Sequence, residues 1–276
     1  MSRKLFFGLF VFPLVIAVGM AVLLCTVVLM THENQTPESL IAAIKKSSPS
    51  KRWQKAFELS NELNHPSGTV RRDRLTAEIA DMLADRAHYD AKTRAYMALA
   101  LSHENTPQAI EALRRALKDP EEDVRLYAIW SLGVLRSQEA VPDILLALQS
   151  DSADTRKTAA YVLGALGEGS AREALKKKLS DPASDVQWNA ALALARLGDG
   201  SGRNVLIRMM QRSELSSQYK MGESQIEAVM TNAAKGLALI RGAEAVKILE
   251  SVSRNDKSMK VRQAALNALK LQKENP

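Results

Sequence analysis

The chain has 276 residues, of which 46% are hydrophobic, 5% aromatic and 25% charged, with a formal net charge of +7. Its single cysteine, Cys25, excludes an intramolecular disulfide framework and any cysteine-based zinc site. The scarcity of aromatics beside recurrent alanine and leucine points to helices in small-residue contact, away from strand-rich folds, and charges of both signs are interleaved as on a solvated helical surface.

From Leu5 to Met30 no charged residue occurs. At 1.5 Å per residue that segment is long enough for a hydrocarbon core of about 30 Å. It lacks a small-x-small cleavage site, and Leu24 before Cys25 argues against a lipoprotein. The expectation is an uncleaved signal-anchor: residues 1–30 form a cytoplasmic tail and one transmembrane helix kinked at Pro13, with the membrane contacted through residues 5–30. Arg3 and Lys4 would keep the tail in the cytoplasm and place the remainder outside, in the periplasm of a Gram-negative bacterium. Phe6, Phe7, Phe10 and Phe12 read as interfacial aromatics of a plain anchor.

Residues 31–48 read as a linker and a capping helix, TPESLIAAIKK, and residues 49–276 as a repeat array. KRWQKAFELSNEL and RDRLTAEIADMLADR form a degenerate first pair. Thr93, Val124, Thr155 and Val186 then stand 31 residues apart, each followed eight positions later by Leu101, Leu132, Leu163 and Leu194. Met97, Ala128, Ala159 and Ala190 lie four positions after the same origins, on the same helix face. A second, shorter helix carries Leu113, Ile144, Leu175 and Leu206, again 31 apart. The array continues at Val229 and Val261. Such pairs cannot bury their apolar faces alone and must stack into an α-solenoid.

The run DPEEDVRLYAIWSLGVLRSQEAVPDILLALQSD closely resembles the HEAT-like repeats named after phycobilisome lyases, most strongly from about Thr93 to Met210. The resemblance implies an all-α, right-handed solenoid of about six helical hairpins after the transmembrane helix. Asp123, Asp154 and Asp185 precede the repeat origins, and Arg125 and Arg156 follow them. At a helix start the acids can serve free N–H groups and the arginines can reach the next repeat's acid, which suggests an inter-repeat structural ladder.

The spacing from Val186 to Val229 exceeds one period by 12 residues, an insertion around 212–224. Tyr219, Lys220 and Met221 are candidate partner contacts there, against the alternative of a neutral flexible insertion or simply longer flanking helices. On the second helices the exposed row Arg115, Leu146, Lys177 and Arg208 is the candidate binding surface of the concave face. Interrupted by leucine and without stacking aromatics, it makes a weak phosphate track, although HEAT-like DNA glycosylases hold phosphates on a basic face. Trp53, Trp130 and Trp188 are expected chiefly in packing between repeats.

His32-Glu33 and His103-Glu104 resemble two of the four His-Glu pairs with which the HEAT-repeat deoxyhypusine hydroxylases bind iron, too few for that site. The family name suggests bilin lyase activity, but it follows the repeat and nothing else points to a tetrapyrrole. No phosphate loop, nucleophile triad or metal cluster is legible, so no catalytic residue, metal or cofactor is assigned. The reading is a non-enzymatic, membrane-anchored scaffold or adaptor, an accessory subunit that binds protein partners at a membrane complex. The alternatives are a nucleic-acid-binding solenoid and a bilin-lyase-like enzyme.

Overall fold

The structure, a computed structural model, describes residues 12–31, 36–64 and 72–274, and every regular element among them is helical. The first helix, α1, runs Phe12–Thr31. Its described side chains from Leu14 to Leu24 are apolar or small and exposed. Among the described residues no helix is long and apolar enough to cross a membrane. The expected transmembrane anchor and the single-pass membrane localisation are therefore corrected. Arg3, Lys4, Phe6, Phe7 and Phe10, which carried the orientation argument, lie outside the described residues.

The helices that follow are α2 (Pro37–Lys46), α3 (Pro49–Asn64), α4 (Arg72–Ala84), α5 (Ala91–Leu101) and α6 (Pro107–Ala116). Next come α7 (Glu122–Val134), α8 (Val141–Ala147), α9 (Ala153–Leu166), α10 (Arg172–Lys178) and α11 (Ser184–Arg196). The chain closes with α12 (Arg203–Arg208), α13 (Arg212–Ser217), α14 (Glu223–Leu239), α15 (Ala243–Asn255) and α16 (Met259–Glu274). The first helices α3, α5, α7, α9, α11, α14 and α16 pack each on the next, and each second helix packs against the first helix that follows it. α2 takes the second-helix place ahead of α3, touching both α3 and α4. The result is a two-layered helical solenoid.

Local sequence sets the boundaries. Thr36, Asp90, Thr106 and Ser152 each accept the N–H three residues on, and Pro37 and Pro107 open their helices where no N–H is needed. Short 3-10 turns at Gln138–Ala140, Gly169–Ala171 and Gly200–Gly202 lead into α8, α10 and α12. Gly167 ends α9 in the left-handed region at φ 78°, where a side chain would be strained.

The repeated residues are the core. Ala128, Ala159, Ala190, Leu132, Leu163 and Leu194 are fully buried along the first helices, as are Leu113, Ile144, Leu175 and Leu206 along the second. The small positions let first helices approach closely: a Cβ on Gly164 would lie 2.6 Å from Cα of Ala193 on the next helix. Leucines fill the space that this approach leaves. Burying one such side chain contributes about 2 kcal/mol, and a charge in its place adds a desolvation cost. Leu163→Asp is expected to destabilise the array by at least about 4 kcal/mol in chemical denaturation, and an unchanged midpoint would contradict this packing.

The ladder between repeats uses acids other than the expected ones. Asp123, Asp154 and Asp185 are exposed in the first turns of α7, α9 and α11, where they complement the helix dipole. Asp154 pairs locally with Lys157 at 2.5 Å. The rung acids are instead Asp119, Asp181 and Asp256, in the loops that enter α7, α11 and α16. Each turns its Oδ1 onto the N–H two residues on, from Glu121, Ala183 and Ser258. Arg156 of α9 donates to both oxygens of Asp181 at 2.8 Å, and Arg94 of α5 pairs with Asp119.

The same loops are held from the other side. Arg125 donates to the carbonyls of Asp119 and Pro120, Arg156 to those of Ser150 and Asp151, and Arg262 to those of Asp256 and Lys257. At Asp119 the guanidinium of Arg94 thus reads the acid side chain while that of Arg125, on the next first helix, reads the loop backbone. The expected Asp positions lie one turn too late for this, because the clamp needs the residue whose carbonyl and carboxylate both face the loop interior.

Burial pushes the carboxyls of Asp119, Asp181 and Asp256 up, but hydrogen bonds from arginine and backbone, with the arginine charges, hold all three below their ordinary value of 3.8. Their contribution is complete above that value and is lost as pH falls through the depressed folded values. Thermal melts are therefore expected to show stability dropping below about pH 4, and Asp181→Asn should flatten that acid limb while lowering the neutral-pH midpoint. An unaltered acid limb in the variant would remove Asp181 from the clamp.

Candidate interaction surfaces

The predicted binding row lies on one face of the second helices. Arg115 (α6), Leu146 (α8), Lys177 (α10) and Arg208 (α12) are all exposed, and Leu146 retains 68% of its accessible surface. Shallow grooves run between neighbouring second helices, one lined by Arg86, Gln108 and Arg115, the next by Lys118, Asp143 and Leu146. Glu111 sits 3.8 Å from Arg115, and Arg114 pairs with Asp143 at 2.6 Å, so this face carries both charges.

The insertion is folded into the array. Its helix α13 places Leu215 fully inside the core. The Tyr219 ring meets Trp188 edge-on at 5.1 Å, and the Met221 N–H closes the segment on the Leu215 carbonyl at 3.2 Å. Tyr219 and Met221 thus pack inward; of the three candidates only Lys220 is exposed, at φ 51°.

Arg212, at the start of α13, supplies what α14 lacks. No arginine occurs in α14, and Arg212 donates to both oxygens of Asp256 at 2.9 and 2.7 Å and to Glu223 at 2.7 Å. The segment that breaks the period completes a rung of the ladder. Removing one partner of a largely buried pair leaves the other charge uncompensated, so Arg212→Ala is expected to cost about 3 kcal/mol in denaturant unfolding. A cost below about 0.5 kcal/mol would return the insertion to the status of a neutral loop.

The opposite face, on the first helices, carries the aromatic surface that the sequence reading left out. Trp53 stacks near Tyr96 at 6.3 Å, Phe57 meets Tyr96 at 5.4 Å, and Tyr96 meets Tyr127 at 5.7 Å. Trp130 stacks on Tyr161 at 5.7 Å and 14°, with the Arg196 guanidinium 5.0 Å above Tyr161. Trp130 and Phe57 remain 44% and 43% exposed, while Trp188 is buried. The signal was present: Tyr96 and Tyr127, and likewise Trp130 and Tyr161, stand one 31-residue period apart on the outward side.

Beyond Tyr161 this face opens into two adjoining grooves. One, of about 400 Å³, runs among α9, α11 and α14; the other, of about 540 Å³, lies between α14 and α16. They share Lys235 and Leu239.

The metal hypotheses find little to build on. His32 and Glu33 lie outside the described residues, and His103 is half-buried at the end of α5. Among the described residues no group of three or more histidine, cysteine, aspartate or glutamate side chains stands together as a metal site.

Paired helices stacked in two layers with a 31-residue period define a helical-repeat solenoid. The HEAT-repeat family model matches residues 76–160 and 141–217, together just over half of the chain, and the chain belongs to that family. No curated sequence relative matches it. Among solved structures, the complex of CpcE and CpcF of phycocyanin lyase from Nostoc sp. PCC7120 is similar at 19% identity and a TM-score of 0.56, over 88% of this chain and 96% of that one. The YibA protein of E. coli is similar at 14% identity and a TM-score of 0.53, over 86% and 93%. A designed armadillo repeat protein superposes at 15% identity with a TM-score of 0.42, over 86% of this chain and all of that one. For the first two of these, at such identities, the likeness is one of fold.

Proposed function

We propose that this chain is a non-enzymatic protein-interaction scaffold that binds a partner across its second-helix face. The observation that carries the reading is the row Arg115, Leu146, Lys177 and Arg208, which recurs at the repeat period, faces solvent and lies outside the buried core. An extended surface assembled from equivalent positions of stacked repeats suits a long partner surface better than a small substrate. The break that Leu146 makes in the cationic row, with Glu111 beside Arg115, supports a protein partner over a phosphate backbone, which would favour an unbroken basic stripe. The likeness to a phycocyanin lyase complex is one of fold and supplies no reacting group here.

Affinity capture with the full chain tests this. The combined variant Arg115→Glu, Lys177→Glu, Arg208→Glu should keep its melting midpoint, because all three side chains are exposed, yet lose at least about tenfold of a near-stoichiometric protein partner. Undiminished capture by the variant would exclude this face as the recognition surface. Capture abolished by nuclease would favour nucleic acid.

A further inference from the structure

The double groove on the first-helix face has a lining of one sign. Arg196, Lys235 and Lys260 project from α11, α14 and α16, all three exposed, and no carboxylate lines either compartment. None of the three cations takes part in an ion pair among the described residues; Arg196 has only the ring of Tyr161. The other rim positions are amides: Asn189 and Asn232 in the first compartment, Gln263 and Asn267 in the second. Leu192, Leu239 and Leu271 provide an apolar floor, with Leu239 54% exposed.

Several cations elsewhere in this molecule are matched. Arg94, Arg114, Arg156 and Arg212 all hold acids, and Lys176 and Lys257 do the same on the surface. Three unmatched cations along one groove form a local concentration of positive potential, which the concave walls focus. A side-chain amide both donates and accepts, which matches the alternating N–H and C=O groups of an extended backbone. A phosphate chain would use the cations and leave the amide carbonyls and leucines without partners.

We propose that this groove binds an extended acidic segment of a protein, its carboxylates on Arg196, Lys235 and Lys260 and its alternate apolar side chains on Leu192, Leu239 and Leu271. Four first helices about 9 Å apart span about 27 Å from α9 to α16, which about eight residues of extended chain cover. The aromatic row from Trp53 to Tyr161 continues the same face toward the amino-terminal repeats, where it would receive the flanking part of such a segment. The inference rests on the scaffold reading, to which it adds a second face, and that pairing would let one chain bridge two partners.

The test uses fluorescence anisotropy on the full chain with three labelled probes: a nine-residue peptide alternating glutamate and leucine, its lysine-leucine counterpart, and a single-stranded oligo-dT. The acidic peptide should bind, the basic peptide should not, and Arg196→Glu with Lys235→Glu should weaken binding at least about tenfold. Lys260→Glu alone, which leaves the Arg196–Tyr161 contact in place, should weaken it about threefold to fivefold and guards against a folding defect in the double variant. Failure of the acidic peptide to bind, equal binding by the double variant, or tighter binding of oligo-dT lost in the same variant would overturn the proposal. Partner capture lost through Arg115, Lys177 and Arg208 while the acidic peptide stays unbound would sink this groove and leave the scaffold reading standing. Acidic-peptide binding with capture unaffected by those three would do the reverse.

Discussion

A helix pair of this kind has an apolar face on both of its flanks, and only another pair of the same shape covers it. That constraint dictates the period. Alanines at 128, 159 and 190, with Gly164 against Ala193, set how closely first helices approach, and leucines at 132, 163 and 194 fill the remaining space. Because each unit packs chiefly on its neighbours, stability is a sum over interfaces and every unit must keep the same small and large positions. Exposed positions outside the packing face and the entry-loop clamp carry no such packing constraint, and the proposed binding surfaces lie among them.

The clamp at the entry loops adds register to this stacking. A loop whose carboxylate is held by the arginine of one first helix and whose carbonyls are held by that of the next has little freedom to slide. Asp119 between Arg94 and Arg125 shows the arrangement in full, and at Asp181 Gln187 takes the place of the second arginine, donating to its carbonyl at 2.6 Å. Where a carboxylate is missing, as at Ser150, the backbone half of the clamp persists through Arg156. Where the first-helix arginine is missing, Arg212 arrives from an inserted helix. Buried pairs of this type contribute more to specificity of arrangement than to net stability, because desolvation offsets much of their attraction.

Much of this was legible in the sequence, because the packing face repeats and repetition exposes it. Leu113, Ile144, Leu175 and Leu206 were placed correctly from spacing alone and are all fully buried. Three things were not legible. The rung acids were assigned to Asp123, Asp154 and Asp185 because adjacency to the helix start was visible, whereas the loop curvature that brings Asp119 and Asp181 to the arginines was not. The insertion looked like a loop because its anchors, Leu215 and Arg212, bind partners distant in sequence. The first-helix aromatics were read one tryptophan at a time, so the continuous row through Tyr96, Tyr127 and Tyr161 emerged only with stacking. The apolar amino-terminal segment was read as a membrane span, whereas among the described residues no helix is long and apolar enough to cross a membrane.

The two outer faces differ in a way that follows from their positions. The second helices from α6 to α12 are short and carry mixed charge, with Arg114 held by Asp143. The outward sides of the first helices collect rings at one end and unmatched cations at the other. The most direct measurement of the central claim, that neighbour interfaces carry the array and include the insertion, is amide hydrogen exchange along the full chain. The account predicts strongest protection in α7, α9 and α11, a graded decline toward both ends of the array, and protection in α13 equal to that of α14. Fast exchange in α13 beside a protected α14, or uniform protection lost in one step across all helices, would contradict it.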